Sequence, residues 1–411
     1  MTRAHERLRL IAARDSRVLT ARPVVLAGAL LGRAGLTRSI AVWPDASAPM
    51  VAVAPADRRA ALWLDRTFPW QARAPGPLDA RTWQALRARS LIVAPGRPPA
   101  VTAAERALGR ALDQPRVALF SPSRGRGKLA CFVFERGGAE PVAVVKAMAD
   151  AGEGAWLERE VRFVERLRGR LGGDPVADAL PVAPLLAGAH EDDWLVVEPL
   201  DQLAAAAARP ADGLALGWLR SFQERTGVAR RPWSEDDERA ELDAVAAAWG
   251  ALRPAALVPL RAAVREALGT VRGCELPCCA VHGDYWRGNL AVRDGELRVF
   301  DWEWGIEQGE PFTDRWGLEL GELRDGLIAE QALGPALAAA LERMRAGLAE
   351  VALDPRFARA TLAPAVARLA HRRRATSGTL SGWGALALPL MRAVERLLLS
   401  DRDPVRAAAQ V

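Results

Sequence analysis

One short stretch of the chain carries a carboxylate, an amide and a second carboxylate at spacings that suit chemistry. It reads Val281-His-Gly-Asp-Tyr-Trp-Arg-Gly-Asn-Leu290, and a second acidic segment begins at Asp301. A carboxylate in a loop, such as that of Asp284, can accept a proton from an attacking hydroxyl. The amide of Asn289 and the carboxylate of Asp301 are hard oxygen ligands, which suit magnesium held against phosphates.

A hairpin is needed to bring these side chains together, and the sequence predicts one. Asp294-Gly295 is a strong two-residue turn signal between the apolar runs 290–292 and 297–300. Folding this hairpin places Asn289 and Asp301 beside each other at its open ends. Each of these polar residues alone is an ordinary turn residue, so it is their joint spacing that indicates a functional site.

The spacing His-x-Asp-x-x-x-x-Asn with a later Asp is that of the kinase catalytic loop. With His282-Gly-Asp284 in this place, the sequence resembles the aminoglycoside phosphotransferase and choline kinase group of small-molecule kinases. The form His-Gly-Asp-x-Trp-x-Gly-Asn is especially similar to the sugar- and fructosamine-kinase end of that group. Downstream, Gly309-Glu-Pro-Phe-Thr-Asp314 matches the Gly-x-Pro-x-x-Asp segment that follows the group's metal-binding Asp. The resemblance covers residues 116–330 well.

The resemblance implies a role for each of these residues and for others upstream. Asp284 would act on the acceptor hydroxyl, Asn289 and Asp301 would bind Mg²⁺, and Arg287 would neutralise charge on the transferred group. A lysine at the end of a strand would bind the phosphates of ATP, and a glutamate of the next helix, Glu160 or alternatively Glu158, would hold it. His282 would brace the loop. The implied nucleotide-binding residues are Lys146, Glu160, Ser123, Gly125, Gly127, Glu198 and Leu200.

The elements that position these residues are predicted from residue patterns. Three short apolar runs joined by tight turns indicate an antiparallel meander over residues 116–120, 129–134 and 141–146. Residues 153–170 have the apolar spacing of an amphipathic helix, and two more strands are expected over 181–189 and 194–198. Beyond Pro199 the Ala- and Leu-rich pattern is helical, except between Cys279 and Asp301.

These patterns predict a small α+β lobe followed by a mainly helical part, and the resemblance implies that together they form an α+β, bilobal protein kinase-like fold. Residues 113–200 would form a small antiparallel-sheet N-lobe, and residues 201–411 a mainly helical C-lobe. Residues 1–112 are rich in proline, alternate short β-like runs with helix-like pieces, and carry no chemical motif. We therefore expect an additional mixed α/β N-terminal domain, whose role the sequence does not indicate.

Composition narrows the function classes. A chain of 411 residues that is 50% hydrophobic and 26% charged excludes disordered and collagen-like proteins. The net charge of +6 is spread along the chain, so nucleic acid is not expected as a partner. Four cysteines suit a reducing compartment, which favours the cytoplasm. No apolar run reaches the length of a membrane-spanning helix.

The expected function is transfer of the γ-phosphate of ATP to a hydroxyl of a small molecule, such as an aminoglycoside, amino sugar, sugar or amino alcohol. Acidic residues beyond the motif suit a cationic acceptor, although a neutral sugar fits equally well; these residues are Glu303, Glu307, Glu310, Asp314, Glu319, Glu322 and Asp325. Trp302, Trp304 and Trp316 are candidates to stack on the acceptor, although most of the tryptophans are expected in the core.

Other interpretations of the same residues are less favoured or stay open. Gly125-Arg-Gly127-Lys128 lacks the first glycine of a phosphate-binding P-loop and has Leu129 in place of its Ser or Thr. Cys274, Cys278, Cys279 and His282 match no common zinc spacing, so buried thiols are favoured. Two rivals stay open: a catalytically silent kinase-fold protein that binds nucleotide or regulates, and a main activity located in residues 1–112.

Overall fold

The protein is described by a computed structural model. It describes residues 17–19, 38–43, 51–53, 91–94, 98–120, 128–138, 140–148, 155–180, 185–186, 195–199, 212–293, 295–324, 332–377 and 381–399. Mixed strands and helices are arranged as antiparallel sheets beside a larger helical part, which is consistent with a kinase-like fold.

An antiparallel sheet dominates the N-terminal half. Within the described residues it has nine strands, in the order β1-β4-β2-β3-β5-β6-β7-β9-β8. Their bounds are β1 Arg17–Leu19, β2 Arg38–Trp43, β3 Val51–Val53, β4 Leu91–Ala94, β5 Arg116–Phe120, β6 Lys128–Phe134, β7 Pro141–Met148, β8 Leu185–Leu186 and β9 Leu195–Pro199. The predicted meander is present as β5, β6 and β7.

The first four strands extend this sheet. Strand β3 pairs antiparallel with β5, so that Val51 lies opposite Phe120 and Val53 opposite Ala118. The sheet therefore runs across the boundary that the sequence suggested at residue 112. The described strands of residues 1–112 do not form a sheet of their own, and a separate N-terminal domain stays a prediction.

Helices make up most of the remaining described structure. Their bounds are α1 Pro99–Leu108, α2 Ala155–Leu171, α3 Asp212–Thr226, α4 Glu235–Leu252, α5 Pro254–Gly269, α6 Phe312–Arg324, α7 Leu333–Glu350, α8 Arg356–Ser377 and α9 Ser381–Leu399. Local sequence explains their starts in places: Ser234 and Asp237 form a capping box that satisfies backbone N–H groups at the start of α4.

Among the described residues, strands from the middle of the chain form two small sheets. Strands β10 Ala229–Pro232, β11 Glu275–Val281 and β14 Ile306–Gly309 form one, in the order β10-β11-β14, and β12 Leu290–Arg293 with β13 Glu296–Val299 form the other. The register pairs Leu290 with Val299, as expected for a hairpin that turns at Gly295.

Two cores hold these layers together. The larger one lies among helices α4 to α9 and contains the buried rings of Trp233, Trp249 and Phe357. The second lies between α2, α3 and the β12–β13 hairpin, where Phe163, Phe222 and Trp302 are buried. This second core supports the segment that carries the predicted site, so the position of the site depends on the packing of α2 and α3.

Candidate functional site

The hairpin of β12 and β13 brings the predicted oxygen ligands to neighbouring places. The backbone N–H of Phe300 donates to the carbonyl oxygen of Asn289 over 2.9 Å. Asp301 follows Phe300 directly, so Asn289 and Asp301 lie at the open end of one hairpin. Asn289 itself is 8% exposed, which means that its side chain is held by the protein.

The Asn289 amide is engaged by Asp284. Its Nδ2 donates to the Asp284 carbonyl oxygen over 3.0 Å and to the carboxylate Oδ2 over 3.1 Å. Two acceptors on the same nitrogen fix the orientation of the amide. Oδ1 of Asn289 is therefore the amide atom suited to a cation, and the Asp284 carboxylate is oriented by the same side chain.

His282 braces the loop, as the resemblance implied. The ring is fully buried, its Nε2 lies 2.6 Å from the Phe300 carbonyl oxygen, and its Nδ1 accepts the backbone N–H of Asp284 over 3.1 Å. These partners require the neutral tautomer with hydrogen on Nε2. Burial lowers the pKa of His282, against the opposing effect of the Asp314 carboxylate.

Asp314 holds the same loop from helix α6. Its carboxylate is fully buried and accepts the backbone N–H of His282 over 2.6 Å and of Gly283 over 2.8 Å. The sequence grouped Asp314 with acidic residues suited to a cationic acceptor, and that part of the expectation is wrong. The Gly-x-Pro-x-x-Asp segment was the sequence signal that set Asp314 apart from the other acidic residues, because the resemblance includes an Asp at this position.

Gly283 allows the loop to pass close to the segment after Asp301. It has φ +81°, and a Cβ at this position would lie 2.2 Å from the carbonyl oxygen of Trp304. Both the backbone conformation and the close approach therefore require glycine here.

A buried lysine joins the sheet to the site. Nζ of Lys146, on β7, lies 3.0 Å from Oε1 of Glu160 on α2 and 2.9 Å from Oδ1 of Asp301. Of the two glutamates considered, Glu160 is therefore the partner, whereas Glu158 pairs with Arg162 one turn along the exposed side of the helix. Lys146 and Glu160 are 4% and 1% exposed.

Glu160 also contacts the segment after Asp301. Its Oε1 accepts the backbone N–H of Trp302 over 3.2 Å, whereas its Oε2 is buried and has no hydrogen-bond partner among the described residues. Asp301 has left-handed backbone angles, φ 61° and ψ 60°. A non-glycine residue rarely adopts this conformation, and such strain is concentrated at functional sites.

Three of the acidic residues suggested for a cationic acceptor, Glu307, Glu310 and Glu319, are paired with arginines, whereas Asp325 and the side chain of Glu322 lie outside the described part of the chain. Glu310 accepts from Arg231 over 3.2 Å, and burial raises its pKa. The buried Glu319 carboxylate binds two arginines, Arg315 and Arg343. A further pair joins Glu307 to Arg166. Carboxylates that are already neutralised in this way attract a cation less, so these residues do not favour a cationic acceptor over a neutral one.

For two of the three candidate tryptophans, the prediction that they stack on the acceptor is wrong. Trp302 and Trp316 are 0% and 1% exposed and belong to the two cores. Nε1 of Trp316 donates to Oγ1 of Thr361 over 2.8 Å, so the polar atom of this buried ring has a hydrogen-bond partner. Trp304 is half-buried, with its ring 6.4 Å from that of His371.

The cysteines are free thiols. Cys131, Cys278 and Cys279 are buried and Cys274 is half-buried. Burial raises the pKa of Cys131 and Cys279. Over the part of the chain that the structure describes, no group of three or more His, Cys, Asp or Glu residues is arranged to hold a metal ion.

Other predicted site residues are only partly described. Ser123, Gly125, Gly127 and Leu200 lie outside the described residues. Glu198 lies in β9, paired with Val144 of β7. Arg287 is half-buried at the start of a short 3₁₀ turn, Arg287–Asn289, that leads to the hairpin. The nucleotide contacts expected of the first five residues and the role expected of Arg287 stay predictions.

Several solved structures are similar to the chain. The crystal structure of a thermostable mutant of aminoglycoside phosphotransferase APH(4)-Ia is 14% identical, with 72% of this chain and 98% of that chain covered and a TM-score of 0.44. Glucosamine kinase in complex with glucosamine, ADP and inorganic phosphate is 17% identical, with 78% and 89% covered and a TM-score of 0.40. Macrolide 2'-phosphotransferase MphH from Brachybacterium faecium is 16% identical, with 70% and 96% covered and a TM-score of 0.40.

No protein-family model matches the chain, and no curated protein matches it either. Identities and TM-scores of this size do not transfer an activity, so the function proposed below rests on the residues of the site. Among the described helices, none combines the length and the apolar character needed to cross a membrane.

Proposed function

We propose that the protein is an ATP-dependent phosphotransferase that moves the γ-phosphate of ATP to a hydroxyl of a small molecule. The observation that carries this proposal is the contact of Lys146 with both Glu160 and Asp301. This contact joins strand β7 and helix α2, which follow each other in the chain, to the hairpin end, 155 residues beyond Lys146. A buried lysine held by a buried glutamate suits the phosphates of a nucleotide.

The donor set fits Mg²⁺. The amide oxygen of Asn289 and the carboxylate of Asp301 are oxygen ligands of the kind that Mg²⁺ prefers. The nitrogen of the same amide is committed to Asp284, which leaves the oxygen as the ligand atom. When bound, Mg²⁺ would neutralise negative charge on the phosphates.

The chain's own residues account for the remaining requirements. Asp284, oriented by Asn289, would hold the acceptor hydroxyl and accept its proton. Lys146, kept in place by Glu160, would fix the nucleotide phosphates. Arg287 would neutralise charge on the transferred group, and loss of no more than a few-fold in turnover in Arg287→Ala would contradict that role.

An ADP-release assay with MgATP tests the proposal. The acceptors to compare are amino sugars, aminoglycosides, neutral sugars, choline and homoserine, with the Asp284→Ala variant run beside the wild type. Acceptor-dependent release of ADP that is lost in Asp284→Ala is the expected result, and it would also name the acceptor class. Nucleotide binding without turnover for any acceptor would favour a silent kinase-fold protein, and failure to bind nucleotide would contradict the proposal.

A further inference from the structure

One face of helix α2 contacts the segment that follows Asp301 along two turns. Nη2 of Arg159 donates to the carbonyl oxygen of Glu303 over 3.2 Å, and Arg166 forms an ion pair with Glu307. Both contacts are largely exposed and are therefore weak by themselves. Phe163 lies between the two arginines on the same helix face, and it is 2% exposed.

Phe163 packs directly on Gly305. A Cβ added to Gly305 would lie 2.4, 2.5 and 2.8 Å from three ring atoms of Phe163, closer than carbon atoms approach each other. The backbone of Gly305 has φ −61° and ψ 139°, which any residue adopts. The glycine is therefore needed for the close approach of the ring and not for the backbone conformation.

This contact sets a distance that the proposed chemistry needs. Phe163 follows Glu160 by three residues on the same helix face, and Gly305 lies a few residues beyond Asp301 in the segment that Glu160 contacts through Trp302. A bulkier residue at position 305 would push α2 away from this segment. Glu160 would then move away from Asp301, because it is fixed to the helix that moves, and Nζ of Lys146 could not keep both contacts.

We propose that Phe163 and Gly305 are positioning residues for the nucleotide-phosphate site. Through their contact they set the separation of Glu160 from Asp301, and thereby the position of Nζ of Lys146 between them. The proposal rests on the function proposed above. In this proposal both residues act through Lys146 and its two carboxylate partners and not through a contact with the nucleotide.

The first test compares Gly305→Ala with Gly334→Ala by calorimetric titration with MgAMP-PNP. At Gly334, in α7, an added Cβ would have no neighbour within 4 Å among the described residues outside its own stretch of helix, so it is the matched control. Because overpacking a tight contact forces the neighbouring elements apart, we expect Gly305→Ala to raise the Kd by about tenfold. The control should match the wild type.

A second variant separates positioning from general destabilisation. If Gly305→Ala acts through the lysine, it should weaken binding little further when Lys146→Met is already present, because the shared group is gone. Equal and additive losses in the two backgrounds would overturn the proposal. Melting temperatures measured beside the titrations show whether each variant is folded.

A third test asks whether a smaller side chain at position 163 restores binding to the Gly305→Ala variant. Phe163→Leu removes the ring atoms that crowd position 305, and we expect Phe163→Leu/Gly305→Ala to bind MgAMP-PNP as well as Phe163→Leu alone. If Gly305→Ala does not fold, recovery of both folding and affinity in the double variant supports the contact. A double variant that stays unfolded, or folds without affinity, overturns it.

The two proposals fail in distinguishable ways. A wild-type protein that does not bind MgAMP-PNP contradicts the phosphotransferase function, and the positioning role falls with it. A wild type that binds, with Gly305→Ala equal to Gly334→Ala, contradicts only the positioning role.

Discussion

Nζ of Lys146 lies 3.0 Å from Oε1 of Glu160, and the two side chains are 6% and 1% exposed. The second carboxylate that the lysine contacts, that of Asp301, is 37% exposed. One partner is therefore buried and the other faces solvent. A ligand that enters from solvent would therefore meet the lysine on its Asp301 side, with Glu160 on the buried side of the ammonium group.

Removing this lysine should destabilise the protein strongly. Lys146→Met leaves the Glu160 carboxylate buried without its cation, which costs about 3–5 kcal/mol for a buried pair. Urea unfolding measures this loss. Lys146→Met/Glu160→Gln should recover most of the free energy of unfolding, because no uncompensated charge is left, but should recover no turnover.

Arg110→Met is the matched control for that experiment. Arg110 pairs with Glu135 through two hydrogen bonds on the exposed surface, so water replaces the lost partner. Its unfolding curve should stay close to that of the wild type. Equal losses in the Lys146 and Arg110 variants would show that burial of the Lys146 pair does not matter.

Asn289 should have two separable functions, one through each atom of its amide. Asn289→Asp keeps an oxygen ligand but loses the N–H that orients Asp284 and places a second negative charge beside it. We expect kcat to fall by about 10²-fold, as for a displaced general base, at every Mg²⁺ concentration. Kinetics at rising Mg²⁺ check this, and full recovery of kcat at high Mg²⁺ would mean that Asn289 serves the metal alone.

Gly283→Ala should damage the site more than Gly295→Ala. Both glycines have positive φ, +81° and +83°, but only at Gly283 would a Cβ meet a neighbouring atom, the carbonyl oxygen of Trp304 at 2.2 Å. The backbone conformation alone costs about 1–3 kcal/mol, and the clash adds to it at Gly283. Denaturant unfolding and turnover of the two variants measure the difference, and equal effects on both would show that the loop moves to accommodate the methyl group.

The buried ring of His282 predicts a pH dependence of stability. Its pKa is lowered from the ordinary value of 6.5, so the unfolded chain binds a proton at a pH where the folded protein does not. The stability that His282 contributes is full above pH 6.5 and is lost as the pH falls below that value toward the lowered pKa. His282→Gln keeps a donor toward Phe300 but does not titrate. Unfolding at several pH values should show a smaller acid loss in this variant than in the wild type.

Much of the site could be predicted because its signals are local. The bounds of β5, Arg116–Phe120, follow from a short apolar run, and the β12–β13 hairpin follows from its turn residues. The hairpin in turn fixes the relation of Asn289 to Asp301. The contact of Lys146 with Glu160 was expected from the resemblance, but the sequence alone left the rotation of α2 open between two glutamates.

The features that could not be predicted depend on contacts between distant residues. Residue type alone does not show that Asp314 and Trp302 are buried. Their burial depends on the packing of α2, α3 and α6. Arg231 is 79 residues from Glu310 in the chain. No local sequence pattern therefore indicates that this carboxylate is paired. The pairing of β3 with β5 has no local signal either, because strand register between distant segments depends on the folded sheet.

That pairing of β3 with β5 bears on how the chain can be shortened. A truncated chain beginning near Gln114 would lack β3, which would leave the N–H and C=O groups along one side of β5 without their strand partner. An open strand edge of this kind is a template for association with other chains. If such a fragment precipitates or loses activity, the cause would be the uncovered edge of the sheet and not the loss of catalytic residues from the range 1–112. A fragment that stays monomeric and fully active would show that the sheet tolerates its new edge.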